Sequence, residues 1–236
     1  MKRHLTAAVL AASAMFGTQT AIAEDSGPVV VELFTSQGCS SCPPADAFLG
    51  ELAHREDVIA LAFHVDYWDY IGWKDPFASP DHTLRQRSYA RALGLRTVYT
   101  PQMVIDGRAD AVGSNRSRVD RLIDGARELP KLAIGLESSA GKHMLSLPDA
   151  RIDRPATIWL AIYEREERTS VRRGENAGRD LSNYNIVREF RRLADWDGTA
   201  RTLGLDLSEA MKEGMGCAIL VQAAGQGPIL AALAVP

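Results

Sequence analysis

The sequence predicts an α/β domain, with a mixed sheet flanked by helices, followed by an all-β domain of the sandwich type. Two almost wholly apolar runs, residues 29–34 and 58–65, lie on either side of a segment with helical spacing. Strands buried on both faces belong in a parallel sheet covered by helices, so these elements predict a right-handed βαβ unit. From residue 131 the pattern changes to short, regularly spaced strands separated by turns, which is typical of a β-sandwich.

Residues 1–23 have the pattern of a secretory signal peptide. A basic start at residues 2–4 precedes a mostly apolar stretch, and residues 21–23 form a small-x-small cleavage site. The apolar core is too short to span a bilayer, and no later stretch reaches spanning length, so we expect no stable membrane insertion. We expect an exported protein in the periplasm, although this segment does not separate that location from full secretion.

The remaining chain fits two domains of moderate size, which we place at residues 24–130 and 131–236. The formal net charge of −3 for all 236 residues becomes −5 once the two cations of residues 1–23, Lys2 and Arg3, are removed. Proteins that bind nucleic acid generally carry basic surfaces, so this charge argues against nucleic acid as a partner.

The chemistry centres on Cys39 and Cys42, which lie three residues apart between the first strand and the first helix. Two thiols at this spacing can close into a disulfide or share a soft metal ion. A helix N-terminus stabilises a thiolate, and an export compartment favours disulfides. With Cys217 as the only other cysteine, the pair is better explained as a reactive centre than as part of a disulfide scaffold.

The first half predicts the element order β-α-β-α-β-β-α. The first helix begins near Cys42 or Pro43 and buries a face at helical spacing. A loop rich in aromatic rings, residues 66–80, then leaves the carboxyl end of the second strand, where ligands bind in open parallel sheets. A helix over 81–93 and a hairpin turning at Asp106 and Gly107 follow, and a helix over 117–129 ends the domain.

Residues 32–46 read Glu-Leu-Phe-Thr-Ser-Gln-Gly-Cys-Ser-Ser-Cys-Pro-Pro-Ala-Asp, and residues 99–107 read Tyr-Thr-Pro-Gln-Met-Val-Ile-Asp-Gly. Together with the element order, these motifs resemble the thioredoxin-like superfamily over residues 28–130. They look more closely like a family of exported bacterial proteins known mainly as a domain of unknown function. That closer resemblance extends through the C-terminal half.

The resemblance implies roles for individual residues. Cys39 matches the nucleophilic, more exposed cysteine, and Cys42 matches the resolving cysteine. Pro101 matches a proline that faces the disulfide after a cis peptide bond, here following Thr100. Thioredoxins carry an aromatic residue at the position of Gly38. Glu32 is the only candidate for their buried strand acid, one position out of register; it is either a proton relay or a salt-bridged acid.

In the second half we expect strands over residues 132–137, 144–147, 157–164, 184–190, 201–207, 217–223 and 229–235. The polar, arginine-rich segment 172–185 is a solvated hairpin, a loop that reaches toward Cys39 or an anion site, and we favour the hairpin because charge runs are usually solvated. Cys217 lies among apolar residues and is expected to be a buried small hydrophobe rather than a third redox thiol.

The leading hypothesis is thiol–disulfide exchange with protein thiols or disulfides, with a redox partner protein and without a cofactor. Tyr67, Trp68 and Trp73 are the expected substrate-binding residues, with Trp68 or Trp73 close to Cys39. Two alternatives stay open. One is a binding module with a structural disulfide, and the other is soft-metal handling, such as copper, through the cysteines and His64. The five histidines show no metal-site spacing, so no metal residue is assigned, and the direction of exchange is not fixed.

Overall fold

The structure is a computed structural model that describes residues 27–139 and 141–235; the predicted signal peptide lies outside the described residues. The N-terminal elements are β1 (Val29–Thr35), α1 (Pro43–Leu52), β2 (Val58–His64), a 3₁₀ turn (Asp69–Ile71), α2 (Pro80–Ala92), β3 (Gln102–Ile105), β4 (Ala109–Val112) and α3 (Arg116–Arg127). This is the predicted order. The C-terminal elements are β5 (Gly135–Ser139), β6 (Lys142–Leu147), β7 (Ala156–Ser170), β8 (Asp180–Trp196), β9 (Arg201–Leu205), β10 (Met215–Ala223) and β11 (Ile229–Val235).

One eight-stranded mixed sheet runs through both halves of the chain, in the order β11-β10-β7-β8-β2-β1-β3-β4. Strand β1 pairs parallel with β2 over its full length and antiparallel with β3. Strand β8 joins β2 in parallel at Ala62 and Ile186, and the Asn185 amide donates to the Ala60 carbonyl oxygen at 2.9 Å. The sheet therefore crosses the predicted boundary at residue 131, so the C-terminal half is not a sandwich closed on itself.

Two apolar clusters lie on opposite faces of the β1 region. Alternation along the strand sends Val31 and Leu33 toward α1 and α3, and sends Val30 and Phe34 toward α2 and the C-terminal strands. Val187 and Leu220 pack in the second cluster, so the two halves of the chain share a hydrophobic core. This shared burial fixes the β8 side of the molecule against the cysteine motif.

A second, three-stranded sheet, β5-β6-β9, covers the outer part of the large sheet. Leu145 and Leu147 of β6 pack with Leu160 and Ile219 of the large sheet, which gives the C-terminal half a sandwich-like layering. Cys217 is buried in this cluster as a free thiol, as predicted for a small hydrophobe.

Strands β7 and β8 are much longer than the sequence predicts. The predicted strand 157–164 stops where charged residues begin, but β7 continues to Ser170 through a ladder in which Glu166 pairs with Tyr184 and Arg168 with Ser182. Backbone pairing sustains this arm although its side chains are largely exposed, so hydrophobic alternation could not mark its end. No helix among the described residues has the length and apolar character needed to cross a bilayer.

Candidate functional site at the strand-to-helix junction

The candidate site begins where β1 ends. The Cys39 amide donates to the Ser36 carbonyl oxygen at 3.1 Å, and Cys42 is the N-cap residue of α1. Pro43 occupies the first turn of the helix, where a missing N–H group is tolerated. A disulfide joins Cys39 to Cys42, so the predicted pairing at a helix start is present in the folded chain.

Both cysteines are buried, with 1% of Cys39 and 0% of Cys42 exposed. The resemblance implied that Cys39 is the more exposed of the two, and the structure leaves almost no surface of either cysteine accessible. The Ser41 hydroxyl lies 3.3 Å from the Cys39 sulfur, within reach of a hydrogen bond to a thiolate. Ser40 and Ser41 are exposed, so the solvent-facing part of the motif is the serine pair rather than the sulfur atoms.

A buried polar cluster surrounds the inner end of α1. Asp46 follows Cys42 by one helical turn, and side chains at this spacing share a face, with the later one leaning toward the earlier. Burial raises the pKa of Asp46 to about 7, against an opposing pull from His64. The Asp46 carboxyl therefore changes protonation near neutral pH one helical turn after Cys42.

The cluster continues through His64 and Asp75. The His64 Nδ1 atom lies 2.7 Å from Asp75 Oδ2, with both side chains fully buried. Burial opposes the charge on His64, but the Asp75 and Asp46 carboxyl groups together outweigh burial and raise the pKa of His64. Three buried polar atoms have no hydrogen-bond partner among the described residues: Asp46 Oδ1, His64 Nε2 and Thr35 Oγ1. The pairing of β1 with β2 places Thr35 opposite His64. Unpaired polar atoms in one cluster can share a buried water.

Gln37 connects the cysteine turn to two other parts of the chain. Its backbone N–H donates to Asp75 Oδ2 at 2.8 Å, and its Oε1 accepts from the indole of Trp73 at 3.1 Å. Its Nε2 donates to Asn183 Oδ1 of β8 at 3.0 Å. Because Gln37 is fully buried, these bonds hold the turn before Cys39 in one position.

The predicted aromatic residues lie beside this turn. A Cβ atom at Gly38 would lie 3.1 Å from the Trp68 Cβ, so Trp68 occupies the space an aromatic residue would need before Cys39. The Trp68 indole donates to the Thr100 hydroxyl at 2.8 Å, and the peptide bond between Thr100 and Pro101 is cis, as predicted. Tyr67 lies farther along, where its hydroxyl donates to Gln86 Oε1 at 3.2 Å.

Glu32 lies on the other face of the sheet from α1, in the layer of Val30 and Phe34. Its Oε2 and Oε1 accept from Arg85 at 2.5 Å and 2.9 Å, and Tyr89 also donates to it. Of its two possible roles, the structure has the salt-bridged acid, although β1 is an interior strand. Glu32 is directed to the face of the sheet opposite α1, whereas Asp46 is a buried acid on α1, the helix that Cys42 caps.

The C-terminal half also reaches the cysteine turn. The Asn176 amide donates to the Gln37 and Cys39 carbonyl oxygens at 2.9 and 3.0 Å, and Glu175 accepts from the Ser40 N–H at 3.1 Å. The segment 172–185 is the favoured hairpin connection, because β7 and β8 pair antiparallel up to Ser170 and Asp180 and most of residues 172–180 are exposed. It also reaches Cys39, as the other prediction for this segment expected. The contact depends mainly on one polar residue, Asn176, and composition alone does not distinguish Asn176 from the other polar residues of the segment.

The described residues contain no group of three histidine, cysteine or acidic side chains placed to hold a metal ion. His64, the candidate third ligand, is fully buried and its Nδ1 is engaged by Asp75. Asp46 was not predicted as a site residue. Its position four residues after Cys42 places both side chains on one face of the helix, and this spacing could have identified it.

The fold and the site define a mixed α/β protein with a buried disulfide at a strand-to-helix junction. The chain belongs to the family described as "Protein of unknown function (DUF1223)", whose model matches residues 30–222. A crystal structure of protein AGR_C_4864 from Agrobacterium tumefaciens is 34% identical and has a TM-score of 0.76, with 89% of this chain and 95% of that chain covered. No curated protein matches the chain.

A second solved structure, HBP35 of Porphyromonas gingivalis, has a TM-score of 0.59 at 14% identity. The match covers 89% of this chain and 74% of that chain. At this identity the likeness concerns the fold alone.

Proposed function

We propose that this protein is a thioredoxin-like thiol–disulfide exchange protein that acts through Cys39 and Cys42 on protein thiols or disulfides. The observation that carries the proposal is the disulfide at the start of α1 with the Asp46 carboxyl one turn inside it. The cis bond before Pro101 and the succession β1-α1-β2-α2-β3-β4-α3 support the thioredoxin-like assignment. The leader-like sequence of residues 1–23 supports an exported, periplasmic location.

In the reducing direction, the Cys39 thiolate attacks one sulfur of a substrate disulfide. A mixed disulfide forms and the other substrate sulfur leaves as a thiolate. Asp46 accepts the proton of the Cys42 thiol, and the Cys42 thiolate attacks the Cys39 sulfur. This step releases the second substrate thiolate and restores the Cys39–Cys42 disulfide, so the substrate gains the two electrons that the cysteine pair loses. The reverse sequence oxidises a substrate dithiol.

Several local contacts support this chemistry. The Ser41 hydroxyl is 3.3 Å from the Cys39 sulfur, and N–H groups at a helix start favour negative charge nearby. Trp68, Trp73 and Thr100 border the cysteine turn and supply an apolar surface with hydrogen-bonding edges for an extended polypeptide. Tyr67 extends this surface, because its ring centroid lies 6.2 Å from that of Trp68.

The test is the reduction of insulin by dithiothreitol and the reactivation of scrambled ribonuclease, each with and without the protein. We expect acceleration in at least one assay, abolished by Cys39→Ser and retained by Cys217→Ala, which removes a free thiol buried in the core of the C-terminal half. Equal rates for wild type and Cys39→Ser in both assays would refute the proposal.

The second candidate is a binding module whose disulfide is structural. The specific observation in its favour is the burial of both cysteines. On this account, the protein binds an extended partner through Trp68 and the neighbouring rings without exchange. Retained partner binding by a Cys39→Ser, Cys42→Ser double variant, together with inactivity in both exchange assays, would support it.

A further inference from the structure

The disulfide is covered, although the residues between its cysteines are not. Cys39 has 1% of its surface exposed, while Ser40 and Ser41 next to it are exposed. Thiol–disulfide exchange needs an attacking sulfur to reach a disulfide sulfur. A neighbouring segment must therefore either admit an attacking sulfur to Cys39 or move before exchange begins.

The connection between β7 and β8 crosses the cysteine turn at this place. We call residues 174–178 of this connection the clasp. Asn176 is its one buried residue, and its Nδ2 donates to both the Gln37 and the Cys39 carbonyl oxygens. Its Oδ1 accepts from Arg179 at 3.1 Å. These bonds fix the clasp to the residue that carries the reactive sulfur.

Glu175 adds a charged contact on the exposed side. Its Oε2 accepts from the Ser40 N–H at 3.1 Å, and this bonding to Ser40 lowers the pKa of Glu175. The bound carboxylate places negative charge at the N–H group of the residue that follows Cys39. This charge would repel a Cys39 thiolate. The Ser40 N–H could stabilise that thiolate, but it donates to Glu175 while the clasp is closed, so the closed clasp disfavours the thiolate.

The clasp is built to move without disturbing the sheet. Gly174 and Gly178 bound it with φ angles of +74° and +81°, which glycine adopts without steric cost. Apart from Asn176, its residues are exposed or half-buried. The strand ladder ends at Ser170 and Asp180, and two further backbone bonds close the turn, from the Val171 N–H to the Arg179 oxygen at 2.9 Å and from the Gly178 N–H to the Val171 oxygen at 2.8 Å. Opening therefore costs a few hydrogen bonds and little buried apolar surface.

We propose that Glu175 and Asn176 are specificity-determining residues that screen access to the disulfide by size. Small thiols reach Cys39 with the clasp closed, and protein thiols reach it only when the clasp opens. A polypeptide substrate that supplies its own acceptors and donors to the cysteine turn replaces these clasp contacts. The inference rests on the proposed exchange function for its meaning, but access to Cys39 is a property of the molecule that is measured separately.

The test compares one chemistry at two sizes. The full-length protein is reduced, the reductant is removed, and Cys39 is labelled with N-ethylmaleimide or with a maleimide on a 5-kDa polyethylene glycol chain (roughly the bulk of a polypeptide segment). Site-resolved mass spectrometry gives the Cys39 rate for each reagent. The variants are Asn176→Ala, Asn176→Asp and Glu175→Gln, with Arg172→Ala as an exposed control in the same loop.

We expect the large reagent to label wild-type Cys39 about tenfold more slowly than the small reagent. Loss of the two Asn176 bonds corresponds to about a tenfold rise in the open population, so both Asn176 variants should nearly remove the difference. Glu175→Gln should raise both rates, and Arg172→Ala should change neither. Asn176→Asp keeps the side-chain shape and decides the matter if Asn176→Ala does not fold.

A size ratio that is the same in wild type and both Asn176 variants would overturn the proposal. So would a ratio that changes with Trp68→Phe and not with Asn176, because Trp68 would then be the cover. Failure of the insulin and ribonuclease assays leaves these labelling rates interpretable, so failure of the clasp and failure of the exchange function are distinguishable.

Discussion

The side-chain amide of Asn176 donates to the backbone carbonyl oxygen of Cys39 at 3.0 Å, between residues 137 positions apart in the sequence. This bond joins the C-terminal half of the chain to the cysteine motif of the N-terminal half. Asn183 on β8 makes a second connection of this kind, through Gln37. The site is thus assembled from both halves, and neither half holds the cysteine turn alone.

The first prediction concerns a fragment of residues 24–130, which we expect not to fold stably. Without the second half, β2 loses its pairing with β8, and Phe34, Leu61 and Val104 lose the C-terminal residues packed against them. Far-UV circular dichroism and urea unfolding are the measurements. A fragment with a cooperative transition as strong as that of the whole chain would contradict this prediction.

The second prediction is a pH dependence of stability caused by Asp46 in the oxidised protein. Its pKa is raised from the usual 3.8 to about 7 in the folded state, so the folded chain binds this proton more tightly than the unfolded chain. The resulting stability is fully present below the unfolded pKa and is lost as pH rises through about 7. Between pH 5 and pH 8 we expect a loss of about 3 kcal/mol.

Asp46→Asn should remove most of this slope, as measured by urea unfolding at the two pH values. The raised pKa of His64 contributes a loss of the same sign as pH rises, so a residual slope is expected in the variant. The pKa of Asp75 is lowered, and its contribution is lost only at acidic pH. An unchanged slope in Asp46→Asn would show that Asp46 is already ionised at pH 5.

The third prediction separates Glu32 from Asp46. Glu32→Gln leaves the buried Arg85 guanidinium without its charge partner and should cost about 3–5 kcal/mol of stability. It should leave the pH dependence of Cys42 alkylation unchanged, whereas Asp46→Asn should shift it. A Glu32→Leu, Arg85→Met double variant should regain much of the lost stability, since neither charge stays buried alone. A shift caused by Glu32→Gln would restore Glu32 as the relay.

The fourth prediction concerns the glycine before Cys39. Gly38→Ala places a Cβ atom 3.1 Å from the Trp68 Cβ, so Trp68 must shift and its bond to Thr100 weakens. We expect a loss of about 1–3 kcal/mol in urea unfolding and a change in tryptophan fluorescence. The control is Gly125→Ala in α3, where a Cβ meets nothing within 4 Å and should stabilise by about 0.5–1 kcal/mol. Equal effects of the two substitutions would contradict the role given to Trp68.

Local patterns predicted the elements around the site well. Helix α1 begins at Pro43, and the strand after Pro101 turns at Asp106 and Gly107 with φ angles of 49° and 64°. Each of these features depends on residues adjacent in sequence. Proline and glycine signals report such local geometry directly. The cis bond before Pro101 was implied by the resemblance and not by a local pattern.

Long-range partners were not predictable in the same way. Periodicity placed Glu32 with Val30 and Phe34, but only the folded chain shows that this face is covered by α2, with Arg85 opposite the carboxylate. The reach of the β7–β8 arm depends on a backbone ladder between exposed residues, which has no hydrophobic signature. The buried pair of His64 and Asp75 likewise depends on the path of the 66–80 loop.

The reduction potential of the Cys39–Cys42 pair tests the central claim most directly. It is measured by equilibrating the full-length protein in dithiol buffers of graded potential and counting free thiols, with Cys217→Ala used to remove the third thiol. Thiol–disulfide exchange predicts a value between about −270 and −120 mV, the range of disulfide reductases and oxidases. A value well below about −300 mV would identify a structural disulfide and contradict the claim.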